Sequence, residues 1–234
     1  MAVCGRVTRT AVGELAATTK SVRIRWERRM KSRLPVFAAI LTVLAPGAAV
    51  AVDLDIDQDP LYGDAAAEVV LVEFAHYLCS ACAYAQEALL PLVETEFLDK
   101  GTVALVHKDL PFGRFAFEAA VAAGCAAEQG RFWEYHDALY ADRKAFTSED
   151  FLGYARELEM DEGNFATCLK RSRPAAQIQA DQRVARLLGI RSTPSFLVTR
   201  REGKKGRVKV IEVVRGFVPF EVLAEKLHAA LAAE

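Results

Sequence analysis

Downstream of residue 52 the apolar positions switch between two periods. Residues 69–75 run Val-Val-Leu-Val-Glu-Phe-Ala, a short apolar stretch rich in β-branched residues that predicts a buried strand. Ala85, Leu89, Leu92, Val93 and Phe97 then recur at helical intervals, predicting one helix over 80–98. Gly101 stops it and 103–108 reads as a second strand, so about 40 residues form a β-α-β unit with parallel strands and a right-handed crossover. Ala-rich helical periods follow at 115–127, 131–141, 148–158, 162–170 and 175–188, with Ser148 and Asp161 as N-caps and Gly130 and Gly189 as stops. Strand character returns at 195–199 and 208–213, joined through 200–207 as a hairpin loop. A last helix over 219–232 carries Val222, Leu223, Leu227 and Leu231 on one side. The polar segment 53–67, punctuated by Pro60 and Gly63, reads as a lead-in without an element of its own. The order is βαβ, an all-helical insert at about 113–189, then ββα. That is an α/β domain over 52–234 built on a mixed sheet, with the insert covering one edge or face.

The first 51 residues follow another pattern. Residues 1–33 hold nine Lys/Arg and two Glu, a net +7; since the whole chain carries −1, the rest carries −8. The basic character is confined to this leader, and the remainder offers nothing for nucleic acid. Met30-Lys31-Ser32-Arg33 precedes the apolar run 34–45, Pro46-Gly47 breaks it, and Ala49-Val50-Ala51 supplies small residues at a cleavage site. A charged n-region, a short apolar core and an A-x-A site make a secretory signal over 30–51. A permanent anchor is disfavoured because spanning needs roughly 18–20 uninterrupted apolar residues. The expectation is cleavage near Ala51 and a periplasmic or otherwise extracytoplasmic domain. Met30 also stands as an alternative start, because residues 1–29 show no coherent pattern.

Export changes the cysteine reading. Cys4 belongs to the leader, so the total of five becomes an even four: Cys79, Cys82, Cys125 and Cys168. Extracytoplasmic compartments permit disulfides. Cys79-Ser80-Ala81-Cys82 lies between the predicted strand and helix, where unpaired backbone N–H groups and the helix dipole favour a thiolate. A lowered pKa there makes Cys79 a nucleophile and a good leaving group. Strand, Cys-x-x-Cys, helix is the order that dithiol–disulfide exchange requires; the spacing alone is a weak signal. If this pair forms one bridge, Cys125–Cys168 is the only other pairing. It would close a loop of about 44 residues and stabilise the fold by about 4 kcal/mol in the chain-entropy model. The alternative is two isolated buried thiols, and the bridge is the expectation. Glu73 shares its strand face with Leu71 and Ala75, so its burial and a pKa raised by desolvation are predicted.

Several of these features together carry a family resemblance: Glu73-Phe74 ahead of Cys79-Ser80-Ala81-Cys82, Lys108-Asp109-Leu110-Pro111-Phe112, the run from Ala119 to Cys125, Glu128 to Trp133, Gly189 to Pro194, and Arg215-Gly216. The chain resembles the DsbA-like family of exported thiol–disulfide oxidoreductases. The resemblance implies a thioredoxin-like fold with an inserted all-helical subdomain. It further implies that Cys79 attacks, that Cys82 is its buried partner, and that Glu73 handles the proton of Cys82. It makes Thr193-Pro194 a cis bond lying against the cysteines, with the Thr193 backbone pairing with substrate peptide. His76, three residues before Cys79, is placed on the substrate side, either stabilising the sulfur or merely solvated or hydrogen-bonded. Ser80-Ala81 lacks the histidine that stronger oxidants of the family hold between the cysteines, so a less oxidising couple is expected.

The leading reading is an enzyme that oxidises dithiols of folding proteins, acts without a cofactor or metal, and is reoxidised by a quinone-linked membrane partner. A monomer is expected, since too little chain separates the signal from the first strand for a dimerisation domain. The alternatives are a disulfide isomerase or reductase of the same fold, and a non-catalytic binding or assembly protein with a structural bridge. A zinc site from Cys79 and Cys82 with His107 or His136 lacks a second close ligand pair. The aromatic stripe Phe132, Trp133, Tyr135 and Tyr140 reads as core of the insert, not a ligand cage.

Overall fold

The structure is a computed structural model that describes residues 53–142, 146–203 and 206–233. The expected signal, its cleavage at Ala51 and the Met30 start lie outside the described residues. Along the chain come β1 (Asp53–Asp55), β2 (Leu61–Gly63), β3 (Val69–Ala75), α1 (Ser80–Ala88), α2 (Leu90–Val93) and a wider π-type turn (Glu94–Leu98). These are followed by β4 (Val103–Asp109), α3 (Arg114–Ala127), α4 (Phe132–Ala141), α5 (Ser148–Glu157), α6 (Glu162–Arg171) and α7 (Ala175–Leu187). The domain ends with β5 (Ser195–Arg201), β6 (Arg207–Arg215) and α8 (Phe220–Ala232). The six-stranded sheet has the order β1-β6-β5-β3-β4-β2; β3 and β4 are parallel and every other pairing is antiparallel.

The architecture agrees with the α/β reading, and four local expectations need correction. Segment 53–67 is not free of elements: β1 and β2 form within it, three residues each, held by antiparallel pairing to β6 and β4. The helix expected over 80–98 breaks at Leu89, since Pro91 sits in the first turn of α2 and lacks the N–H that would continue α1. Thr147, not Ser148, caps α5, through a reciprocal capping box with Asp150. The hairpin loop is shorter than 200–207, because β5 runs to Arg201 and β6 begins at Arg207.

Strand alternation sorts the core onto the two sheet faces. Val69 and Leu71 of β3 and Val103 and Leu105 of β4 pack with Ala85, Leu89 and α8 residues Leu223 and Leu227. Val70, Val72 and Phe74 pack on the other side with Ala104, Val106, Ala185 and Ile190. A third cluster fills the helical insert and reaches Ala75, Tyr77 and Cys82. Within it Cys125 and Cys168, both buried, form a disulfide that ties α3 to α6. Pro174 lies over Gly124 so closely that a Cβ there would meet its ring at 2.5 Å.

Two buried polar groupings mark the C-terminal ends of β3 and β4, one on each face. On the α7 side the Lys108 ammonium is gripped by Asp59 and Asp181, and Asp181 also accepts the Asp109 N–H at 3.1 Å. Gln177 donates to Asp59 at 2.8 Å. Burial pushes both carboxyls upward, Lys108 pulls them back, and the two carboxylates together raise the lysine. On the other face Glu73 and His107 stand opposite each other in the parallel register.

Candidate active site

The β3 chain leaves the sheet through a tight turn in which the Cys79 N–H bonds the His76 carbonyl at 3.0 Å. Cys79 keeps extended backbone angles while its carbonyl takes the first helical bond, from Ala83 at 3.0 Å, so it is the N-cap of α1. Its sulfur does what a capping oxygen usually does and accepts the Cys82 N–H at 3.2 Å. The Cys82 N–H and the N-terminal end of α1 thus face Sγ. The same sulfur donates to the Thr193 carbonyl at 3.4 Å. The Thr193–Pro194 bond is cis, and the Pro194 carbonyl accepts the Gly216 N–H at 2.9 Å, joining the loop before β5 to the end of β6. Both cysteines are free thiols. Cys79 is partly exposed whereas Cys82 is buried, and burial pushes the Cys82 thiol far up, offset in part by a backbone hydrogen bond from His76.

Beneath Cys82 lies Glu73, 1% exposed, with a carboxyl that burial raises to about 7 while His107 and the Gln86 amide hold it down. Gln86 of α1 donates to Glu73 Oε2 at 3.3 Å. Around the acid sit Tyr77, His107, His136 and Tyr140, with ring centroids 4.9 to 5.8 Å apart. Burial lowers His136 to about 4, whereas Asp109, 3.3 Å from Nε2, draws His107 upward despite its burial. The sequence offered His107 and His136 only as poor zinc ligands and Tyr140 only as core. Among the described residues no group of three or more His, Cys, Asp or Glu is placed to hold a metal. The signal for His107 was its position: it follows two apolar strand residues on the Glu73 face, and parallel pairing sets it beside the acid.

The His76 ring is buried, edge-on to Phe112 at 5.3 Å, and burial lowers its pKa. It is therefore not the solvated histidine considered from sequence, and its contacts with the two cysteines run through its backbone. Trp133 of the aromatic stripe is half-buried and donates to the Leu61 carbonyl at 3.0 Å, anchoring β2 to the insert. It also lines a cavity of about 510 Å³ walled by Gln86, Tyr62, His136, Asp137 and Tyr140, on the flank of α1. Large apolar side chains stay exposed at Leu78 beside Cys79, at Tyr84 on α1, at Phe112 against His76 and at Phe217, with Tyr84 and Phe217 in ring contact at 4.8 Å.

Comparison with known proteins places this arrangement in a family. The sequence profile of the Thioredoxin family matches residues 55–207. The chain is 33% identical over 184 residues to Na(+)/H(+) antiporter NhaA 3 of Salinispora tropica, which covers 77% of this chain and 26% of that one. The chain thus spans about a quarter of that relative's length, and among the described residues no helix is long and apolar enough to cross a membrane. It is 29% identical over 142 residues to a probable disulfide bond formation protein D of Bacillus anthracis, covering 56% of this chain and 65% of that protein. Oxidised BdbD from Bacillus subtilis superposes with a TM-score of 0.67 at 22% identity, over 78% of this chain and all but 1% of that one. A thiol pair capping the helix after a central strand, a cis-proline loop against it and a matching profile lead to one assignment: the chain belongs to the thioredoxin family, with the fold of its DsbA-like thiol–disulfide oxidoreductases.

Proposed function

We propose that this chain oxidises dithiols of proteins folding outside the cytoplasm, through a reversible Cys79–Cys82 disulfide. The observation that carries this reading is the asymmetry of the pair. Cys79 is partly exposed, caps α1 and touches the Thr193 carbonyl, whereas Cys82 is buried and burial favours its thiol form. In the disulfide form a substrate thiolate attacks Cys79 Sγ and expels Cys82 Sγ, which takes a proton from Glu73. The substrate's second thiolate then attacks its own sulfur in the mixed disulfide and displaces Cys79 as a thiolate stabilised by the helix end. The Thr193 backbone and cis-Pro194 hold the substrate strand beside the sulfur. The exposed aromatic residues around the pair suit apolar stretches of unfolded chains, and reoxidation falls to a quinone-linked membrane protein. The enzyme works as a monomer.

A glutathione redox titration of the purified chain tests this. A potential well above the thioredoxin value of about −270 mV is expected, with exchange abolished in Cys79→Ser. A potential at or below that value would assign the chain to reduction or isomerisation, and full exchange by Cys79→Ser would remove Cys79 from the chemistry.

A further inference from the structure

Glu73 Oε1 and four polar atoms of the neighbouring rings, Tyr77 Oη, His107 Nδ1, His136 Nε2 and Tyr140 Oη, are buried without a hydrogen-bond partner among the described residues. Buried polar atoms are seldom left unpaired; none of the five is within hydrogen-bond reach of another, so a proton passes among them only through internal water. A path is needed if the pair works as just proposed, on which this inference rests. Each cycle puts a proton on Cys82 and takes it off, yet Glu73, which exchanges it, is itself closed to solvent.

One side chain joins this buried group to the outside. His136 is buried, but its Nδ1 lies 3.0 Å from Asp137 Oδ1, and the Asp137 side chain is 78% exposed on the cavity wall. A carboxylate accepts only, so it fixes the proton on Nδ1 and turns the Nε2 lone pair inward. Tyr140, whose ring centroid lies 4.9 Å from that of His136, feels the charges of both Glu73 and Cys82 and so neighbours both ends of the path. The remaining titratable groups facing His136 are His107 and Asp109 of β4 and Tyr77 of the turn before α1.

We propose that His136 is the relay through which the buried Glu73–Cys82 pair exchanges protons with solvent. During reoxidation by a disulfide, Cys79 is held in a mixed disulfide. The Cys82 thiol gives its proton to the Glu73 carboxylate, and its sulfur attacks Cys79 and expels the oxidant's thiolate. The Glu73 proton passes through internal water and the Tyr140 hydroxyl to His136 Nε2, and the Nδ1 proton leaves to Asp137 and water. His136 is then protonated on Nε2, the tautomer that sends a proton inward when Cys82 is next expelled as a thiolate. The two tautomers serve the two halves of the redox cycle. The Nδ1–Asp137 contact favours the outward-ready one.

The test is stopped-flow reoxidation of the full chain by oxidised glutathione, comparing wild type with His136→Ala, His136→Gln and Asp137→Asn in dilute buffer. Formation of the mixed disulfide at Cys79 should keep its rate. Closure by Cys82 should slow about tenfold or more in both His136 variants and less in Asp137→Asn, within the range of general acid–base effects. Imidazole, admitted by the neighbouring cavity, should restore closure in His136→Ala in proportion to its concentration, while the equilibrium with glutathione stays put, because a relay alters rates and not end states. Closure at the wild-type rate in His136→Gln or Asp137→Asn overturns the proposal. So does a slow closure that ignores imidazole and comes with a shifted equilibrium, which marks a structural role. A wild-type chain that forms no mixed disulfide at Cys79 overturns the oxidoreductase reading itself, and the relay with it.

Discussion

Glu73 is an acid that the fold keeps at a cost. Its carboxyl titrates near 4.5 in the unfolded chain and at about 7 in the folded one, chiefly through burial. Between those values the folded chain binds the extra proton, so the contribution of Glu73 to stability is intact below about pH 4.5 and is lost as pH rises through about 7. Glu73→Gln, isosteric and uncharged, should therefore match wild type in acid and exceed it by up to about 3 kcal/mol near pH 8. Urea unfolding across that range measures the difference; a gap that does not grow with pH would mean that Glu73 is not strained in its charged form. His136, whose pKa burial lowers, loses stability in the opposite direction, as pH falls from 6.5 toward about 4, and does so equally in both proteins. At this scale the sequence was partly legible. Glu73 was readable because strand alternation is local, and Cys79 because its cap position follows from the strand before it and the helix after it. Tyr77, His107, His136 and Tyr140 were not readable as a group. Their meeting depends on how α4 docks on the sheet, and no local period records that.

Elements show the same division. β3, β4 and the five helices of the insert announced themselves through their periods, whereas β1 and β2 are too short and polar to do so and exist through their partners. Lys108 makes the point energetically. It occupies an inward position of a buried strand, and its carboxylates come from 49 residues before and 73 residues after it. Lys108→Met would leave Asp59 and Asp181 facing each other in the interior. The expected loss is about 3–5 kcal/mol, the usual result of removing one side of a buried ion pair. The orphaned carboxyls would take up protons, so the loss should shrink toward acid pH; chemical denaturation of the variant near pH 8 and pH 5 checks both size and trend. The Cys125–Cys168 bridge works on a different pair of elements. With its ends 43 positions apart in sequence, replacing both cysteines by serine should cost up to about 4 kcal/mol. Because it lies in the insert core, thiol exchange at Cys79 should survive in the doubly substituted chain, measured with glutathione below its melting temperature.

For the whole molecule, the sheet and the insert meet along the strand ends that carry the cysteines. That seam places apolar side chains on the surface beside a charged and buried interior. Tyr84 lies on α1, and Phe217 follows Gly216, whose N–H is bonded to Pro194; their rings touch at 4.8 Å. Phe112 covers His76 from the other side. These rings remain 54%, 37% and 50% exposed, although burying them would gain roughly 25 cal/mol per Å². If the working partner is an unfolded chain, that area is covered when the partner binds, and the gain goes into recognition. Glutathione is too small to cover it. Tyr84→Ala and Phe217→Ala should each lower the second-order rate with a reduced, unfolded protein by about five- to tenfold, equivalent to about 1–1.4 kcal/mol of lost contact, while changing the glutathione rate less than twofold. Equal losses with both reagents would place the effect on the Cys79 sulfur or the Pro194 loop. No loss with either would leave those rings without a part in selecting substrates.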